Sequence, residues 1–167
     1  EYSGFKAVEE SRGETAFVWD EGNLYRALVI ESLGTKSLIA QEVLEKTGKS
    51  FFAEIAQDTV AMVINDLIVV GEKSQVLNAY FGLGNSDWLL SGKQGEDLIN
   101  GFGAACDLSG VVWGGGETPS LSGIVQPNSI DLAGSAVGII NPKDRLTLGD
   151  EIESGDDSLS PAHRSPP

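Results

Sequence analysis

The chain has 167 residues and a formal net charge of −14, with 25 acidic side chains against 11 basic ones. This acidity argues against electrostatic binding to nucleic acid or to a membrane surface, although a few local groups and a divalent metal can still hold phosphates. No apolar run reaches the length of a membrane span. A single cysteine, Cys106, excludes an intrachain disulfide and predicts a reducing, cytoplasmic location. His163 is the only histidine, which argues against Ser-His chemistry and His-rich zinc sites.

The first part of the chain predicts a hairpin followed by a helix. Residues 1–14 are polar and show no clear period, whereas 15–19 and 24–30 are rich in the β-branched and aromatic residues of strands. The Asp-Glu-Gly-Asn sequence at 20–23 is typical of the turn between two such strands. A helix is predicted from Thr35 to about Lys46. Its start after a glycine turn would suit an anion, although such a sequence more often marks only a turn and a cap.

An unusually apolar helix is predicted next. No Gly or Pro interrupts residues 54–70, yet the stretch carries Asp58, Asn65 and Asp66. At about 100° per residue these polar side chains share one sector of the helix. Buried carboxylates require a cation, a metal or hydrogen bonds to compensate them. The spacing alone favours a solvated stripe on a core helix over a binding site, because most helical charge lies at the surface.

The second half of the chain predicts alternating strands and helices. Residues 74–81 are predicted to form a strand, 82–87 a loop and 94–109 a helix. Cys106 falls on the apolar face of that helix, which favours a packed small side chain over a reactive thiol.

A glycine-rich stretch then separates two further strands. The short strand 111–113 leads into Gly-Gly-Gly-Glu-Thr-Pro at 114–119, which is either a flexible turn or an anion-binding loop whose Glu117 could bind a metal, a ribose or an amine. Residues 130–140 predict a long final strand with closely packed glycines. The Ser/Pro-rich and acidic composition of 151–167 predicts a disordered tail.

These elements predict an α+β domain with helices packed on one face of a mixed or antiparallel sheet. We divide the chain into a polar N-terminal segment, 1–14, a folded domain, 15–150, and the tail, 151–167.

Five motifs in this order resemble the N-terminal domain of aminoimidazole ribonucleotide synthetase, the phosphoribosylformylglycinamidine cyclo-ligase. They are Gly-Thr-Lys at 34–36, the helix segment 58–67, residues 80–84, Gly-Gly-Glu-Thr at 115–118 and the strand segment 133–140. The same domain type occurs in formylglycinamidine ribonucleotide amidotransferase, selenophosphate synthetase, thiamine-monophosphate kinase and a hydrogenase-maturation protein. The resemblance covers roughly residues 24 to 150.

The resemblance implies ATP and Mg²⁺ as cofactors and a homodimer formed through the sheets. Members of this family phosphorylate an amide or other carbonyl oxygen, or selenide in one branch; in the cyclo-ligase a ring amine then closes the ring. Asp66 and Glu31 are the implied metal ligands, and Glu31 stands where the family has an aspartate. The implied nucleotide-binding residues are Gly34, Thr35, Lys36, Asp58, Asn65, Gly115, Gly116, Glu117 and Thr118. Mg²⁺ prefers a few carboxylates together with phosphate oxygens, which agrees with this set.

The sequence also departs from the family pattern. Glu31-Ser-Leu33 replaces Asp-Gly-Val, Asn78 or Ala79 stands where an acidic residue is typical, and the tail occupies the place of a second α/β domain. We therefore expect a divergent, truncated half that is inactive by itself. Two alternatives remain: a self-associating or partner-binding module without nucleotide, and an enzyme whose second domain is a separate chain or a full-length partner.

Overall fold

The structure of this chain, a computed structural model, describes residues 6–90 and 92–155. The strands of the described part are β1 (Lys6–Ala7), β2 (Phe17–Asp20), β3 (Tyr25–Ser32), β4 (Lys73–Leu83), β5 (Val112–Glu117) and β6 (Ile130–Ile140). Its helices are α1 (Lys36–Thr47), α2 (Phe52–Ile68), α3 (Asp87–Leu90) and α4 (Lys93–Ser109), with short 3₁₀ turns at Glu9–Ser11, Lys143–Arg145 and Gly149–Glu151. No helix of these described ranges is both long and apolar enough to cross a membrane.

The predicted helices and strands are present, and two local predictions need correction. The polar segment 1–14 contains β1, which pairs with β2, and a 3₁₀ turn. The glycines at 114–116 form part of β5 instead of a turn, because they pair in parallel with β4. Residues 156–167 of the predicted tail lie outside the described part of the chain.

The six strands form one mixed sheet in the order β1-β2-β3-β6-β4-β5. All neighbours are antiparallel except β4 and β5. The last strand in sequence therefore lies at the centre of the sheet, between β3 and β4. This order brings residues from four distant stretches of sequence side by side.

Helix α2 lies across the centre of one sheet face and packs against β3, β4 and β6. Its Val60, Val63 and Leu67 side chains are fully buried. Gly134 of β6 lies directly beneath the helix, because a Cβ atom there would come within 2.9 Å of Val63 Cγ2. Small residues in β6 thus allow the helix to pack closely on the sheet.

Helix α4 packs on α2 and on the β5 edge of the sheet. A Cβ atom at Gly101 would lie 2.6 Å from the main chain of Ala53, so glycine permits the two helices to touch here. Phe102 contacts Phe81 edge-on, with ring centroids 5.4 Å apart, and packs against Trp113 at 4.7 Å. Gly101 has a low helix propensity, but the close packing of α4 on α2 requires it.

The opposite face of the sheet carries exposed apolar side chains. Ile30 is 76% exposed and Val112 is 64% exposed, while Phe17 and Leu28 are about half as exposed as Ile30. The Phe17 and Trp19 rings stack on each other at 5.9 Å. The helices thus cover one face of a mixed sheet, and the predicted α+β fold is confirmed.

Candidate functional site

A wide depression of about 740 Å³ lies on the open face of the sheet. It crosses β3, β6, β4 and β5, and its floor includes the small residues Gly114, Ala133 and Gly134. Its polar and larger side chains are Ile30, Asn78, Tyr80, Glu117, Asp131 and Ser135. A concave surface with a few convergent polar groups is the usual form of a ligand-binding site.

The depression is acidic. Glu117 and Asp131 line it, and the described residues around it include neither Lys nor Arg. Two carboxylates repel a bare polyphosphate, whereas Mg²⁺ takes carboxylate and phosphate oxygens together. The charge of the depression therefore suits a polyphosphate that arrives with a divalent cation.

A second depression, of about 230 Å³, lies at the start of α1. Gly34 has a left-handed φ of 68°, and Thr35 and Ser37 follow it in the lining. Free N–H groups at the first turn of a helix favour anions. Asp131 lines both this depression and the larger one. Its carboxylate therefore lies between the predicted Gly34–Thr35 segment and the open face of the sheet.

The glycine segment of β5 forms the other wall of the large depression. Gly115 has a φ of 131°, and a Cβ atom at Gly116 would lie 2.0 Å from the Ala79 carbonyl oxygen. The indole N–H of Trp113 donates to the Gly115 carbonyl oxygen at 2.9 Å. Glycine is therefore required at position 116 to bring β5 against β4.

Glu117 contributes to depressions on both sides of β5. A smaller one, of about 230 Å³, is lined by Phe81, Trp113, Glu117 and Thr118 and shares Gly116 with the large one. The predicted nucleotide-binding residues 115–118 thus form one rim with access to both spaces.

The structure also brings Lys36 and Asp58 together. Lys36 Nζ donates to Asp58 Oδ2 at 2.8 Å, and the two side chains are 58% and 50% exposed. This ion pair joins the start of α1 to the middle of α2. Because both side chains are about half exposed to solvent, the ion pair contributes little free energy, and a ligand phosphate or a metal could replace either partner.

Asn65 and Asp66 lie apart from that ion pair. They follow Asp58 by about two turns of α2, or roughly 11–12 Å along the axis. Asp66 is half-buried and its main-chain oxygen accepts a hydrogen bond from Thr15 Oγ1 at 2.6 Å, while Asn65 is exposed. The Asp66 main chain thus anchors α2 to the residues that precede β2.

Glu31, the other predicted metal ligand, lies on β3 opposite Gly134 of β6. It alternates with the exposed Ile30 and shares the helix-covered side with Ala27 and Val29, and its own side chain is half-buried. Glu31 and Asp66 are both oxygen donors suited to Mg²⁺. However, the described residues contain no group of three or more His, Cys, Asp or Glu side chains placed to hold a metal. The assignment of these two residues to a metal stays a prediction, and a site built from them would need phosphate oxygens to complete it.

Sequence reasoning missed Asp131. It is the one charged residue in β6, and its neighbours in the strand are apolar or small. A lone acidic residue in an apolar strand carries no spacing signal, and its position in the depression appears only when the sheet order places β6 between β3 and β4.

Cys106 is buried in the core, as predicted. Burial, together with the neighbouring Asp107, raises the pKa of the Cys106 thiol to about 11. The thiol is therefore protonated at neutral pH and packs as a small apolar group.

The fold defines a class of protein, the α+β domains in which helices cover one face of a mixed sheet. A family model described as "AIR synthase related protein, N-terminal domain" matches residues 13–140. The chain therefore belongs to the AIR synthase related family, and the matched part corresponds to its N-terminal domain.

Several curated relatives are phosphoribosylformylglycinamidine cyclo-ligases. The protein from Pyrococcus furiosus is 35% identical over 144 residues, which cover 86% of this chain and 39% of the relative. The protein from Thermococcus gammatolerans is 33% identical over 88% of this chain and 40% of the relative. The chain thus spans about two fifths of the length of these relatives.

Solved structures share the fold at low sequence identity. AaThiL complexed with AMPPCP and TMP superposes with a TM-score of 0.61 at 14% identity, over 76% of this chain and 36% of that one. T. maritima PurL complexed with ATP gives a TM-score of 0.55 at 19% identity, over 78% and 20% of the two chains. The HypE–HypF complex gives 0.59 at 21% identity, over 80% and 38%.

Proposed function

We propose that this chain is the ATP- and Mg²⁺-binding, dimer-forming N-terminal half of a cytoplasmic enzyme related to the cyclo-ligases. The observation that carries the proposal is the acidic depression on the open sheet face, with the glycine rim of β5 on one side and the start of α1 on the other. Its relatives are ligases of this type, and two proteins of the same fold are described with ATP or an ATP analogue.

Residues on both sides of the depression would hold the nucleotide. Gly34, Thr35 and Lys36 would take phosphate at the start of α1, and 115–118 would take the nucleotide at the β5 rim. The bound Mg²⁺ would neutralise charge on the phosphates.

The α2 and β3 side chains lie on the helix-covered side of the sheet, so they would bind the metal outside the open-face depression. Asp66 and Glu31 are the proposed metal ligands, with Asp58 and Asn65 supporting the metal or the polyphosphate. Because Asp58 pairs with Lys36, nucleotide binding would exchange that exposed ion pair for contacts with Mg²⁺ and phosphate.

The open sheet face would also form the dimer. A monomer seldom leaves several large apolar side chains on one exposed surface, and Phe17, Leu28 and Ile30 lie on adjoining strands here. Two copies packed through this face would cover these residues and enclose the depression from above.

The matched region covers about two fifths of the length of the cyclo-ligases that it resembles. The relatives are about two and a half times as long as the matched region, so we propose that phosphorylation of a carbonyl or amide oxygen, as in purine biosynthesis, needs the remaining domain or a full-length partner. On its own, the chain would bind nucleotide without turning it over.

Isothermal titration of ATP with and without Mg²⁺ tests this proposal. We expect binding only with Mg²⁺, and we expect Glu117→Gln, Asp131→Asn and Asp66→Asn each to weaken it at least tenfold, which corresponds to about 1.4 kcal/mol. Glu10→Gln, which removes an exposed carboxylate from the 3₁₀ turn near β1, is the matched control. Equal binding by all variants would refute the assigned site.

One observation favours a second function. The sole predicted phosphate-binding cation, Lys36, already has a carboxylate partner in Asp58. If the folded protein self-associates but binds no ATP at any Mg²⁺ concentration, the chain is a non-catalytic self-associating or partner-binding module.

A further inference from the structure

The junction between α2 and β4 contains a buried carboxyl group that the proposed nucleotide site does not use. Glu72 is 3% exposed, although it follows Gly71 at a turn, where polar residues are normally solvated. The segment after β6, residues 145–147, covers this turn. A Cβ atom at Gly71 would lie 1.8 Å from the Arg145 carbonyl oxygen, and the Thr147 N–H donates to the Val70 carbonyl oxygen at 3.2 Å. Glu72 is thus sealed between α2, β4, β6 and this segment.

One of the two Glu72 oxygens has a partner and the other has none. Ser74 Oγ donates to Glu72 Oε2 at 2.9 Å. Oε1 is fully buried and accepts no hydrogen bond from any described residue. An ionised carboxylate in this position is unfavourable, because its buried oxygen has lost its hydrogen bonds to water and gains none from the protein.

The surroundings of Oε1 supply an acceptor instead of a donor. A Cβ atom at Gly138 would lie 1.1 Å from Glu72 Oε1 and 2.3 Å from the Lys73 carbonyl oxygen. Because both oxygens lie this close to the same point, Glu72 Oε1 and the Lys73 carbonyl oxygen are at most about 3.4 Å apart. That separation is close to hydrogen-bonding range. Two acceptors at that separation repel each other unless one of them carries a proton.

Charged groups of the neighbouring elements do not stabilise an ionised Glu72 carboxylate. The inward-facing residues at the end of β6, Ala136, Gly138 and Ile140, carry no charge. On the other packed elements, the titratable residues closest to this corner in sequence or strand register are Tyr25 of β3, Asp66 of α2, Lys73 of β4, and Lys143, Asp144 and Arg145 of the 3₁₀ turn. Burial is the first cause of the Glu72 pKa shift and the Ser74 hydroxyl opposes it, and none of these charges contributes.

We propose that Glu72 is protonated in the folded protein and donates its O–H to the Lys73 carbonyl oxygen, so that loss of this proton loosens the corner between α2, β4 and β6. Protonation of Glu72 then controls how firmly the start of β4 is held. The same strand places Asn78 and Tyr80 on the open face. This inference stands independently of nucleotide binding.

The sign of the pH effect follows from the direction of the shift. Burial raises the pKa of Glu72 from 4.5 to about 7, so the folded state holds a proton that the unfolded state has already lost between these values. Stability contributed by this proton is complete below pH 4.5 and is lost as the pH rises to about 7. The unfolding equilibrium constant should rise on the order of a hundredfold across that range from this group alone.

Chemical denaturation between pH 5 and 8, with carbon-13 NMR titration of the carboxyl groups, tests the proposal. We expect one carboxyl group to titrate near pH 7 and to disappear in Glu72→Gln, whose amide retains a donor for Lys73 O. We expect the wild-type protein and the Glu10→Gln control to lose stability as the pH rises, while Glu72→Gln does not.

Hydrogen exchange locates the effect. Amides of residues 70–75 and 145–147 should lose protection in the wild-type protein between pH 6 and 8, after correction for the intrinsic rate, and should keep it in Glu72→Gln. A Glu72 carboxyl that titrates near pH 4.5, or parallel pH profiles for Glu72→Gln and the wild-type protein, would overturn the proposal. If Glu72→Gln does not fold, the NMR titration of the wild-type carboxyl groups decides alone.

Discussion

The two faces of the sheet are built from the same strands and differ in what covers them. On the helix-covered face, Leu77, Leu132 and Ile140 are buried under α2 and α4. On the open face, the alternate positions hold exposed apolar residues such as Ile30, and the carboxylates Glu117 and Asp131. The first face stabilises the domain, whereas the second leaves apolar side chains and carboxylates exposed to solvent. This difference is the physical reason for placing function on the open face.

The largest expected effect is on the helix-covered face. Phe102→Ala should lower the free energy of unfolding by about 3–5 kcal/mol, because Phe102 is fully buried and contacts Phe81 and Trp113. At a protein concentration low enough to keep the chain monomeric, Ile30→Ala on the open face should change it by less than about 0.5 kcal/mol. Urea denaturation measures both, and equal losses would contradict the distinction between the two faces.

The next effect concerns association. The double variant Leu28→Asp/Ile30→Asp should raise the dimer dissociation constant at least a hundredfold, because it places charge on the proposed apolar interface, while the monomer keeps its fold. Light scattering over a range of protein concentrations measures this. Leu108→Asp, at a position 78% exposed at the end of α4, is the control and should leave association unchanged.

Gly116→Ala should separate β5 from β4. The added methyl group would lie 2.0 Å from the Ala79 carbonyl oxygen, so we expect a loss of about 1–3 kcal/mol in stability together with weaker binding of Mg²⁺ and ATP. Gly103→Ala in α4 has open space around the new methyl group and should stabilise the protein by about 0.5–1 kcal/mol. Thermal and titration measurements on both variants check this, and an unaffected Gly116→Ala protein would disprove the role of the close strand contact.

The smallest effect concerns the ion pair between α1 and α2. Asp58→Asn should cost less than about 1 kcal/mol, because both Lys36 and Asp58 are half exposed to water. The loss should shrink further in high salt. Denaturation at low and high ionic strength measures it, and a loss of several kcal/mol would show that the pair is structural.

The sequence predicts the elements of this fold better than their arrangement. Periodicity identifies α2 and α4 because each presents a continuous apolar stripe to the sheet or to the other helix. It fails at 114–117, where local glycine preference favours a turn but parallel pairing with β4 imposes a strand.

The candidate site is less predictable for a similar reason. Gly34, Lys36 and Glu117 stand in recognisable motifs, whereas Asp131 is brought into the depression only by the central position of β6. Glu72 looks like an ordinary turn residue until the segment after β6 covers it.

NMR chemical-shift mapping with a non-hydrolysable ATP analogue and Mg²⁺ tests the claim that ligands bind on the open face of the sheet. We predict perturbed amides at Gly34–Thr35, at 114–118 and around Asp131, with the outer surface of α4 unchanged. Perturbations confined to α4, or none at saturating Mg²⁺ and nucleotide, would contradict the claim.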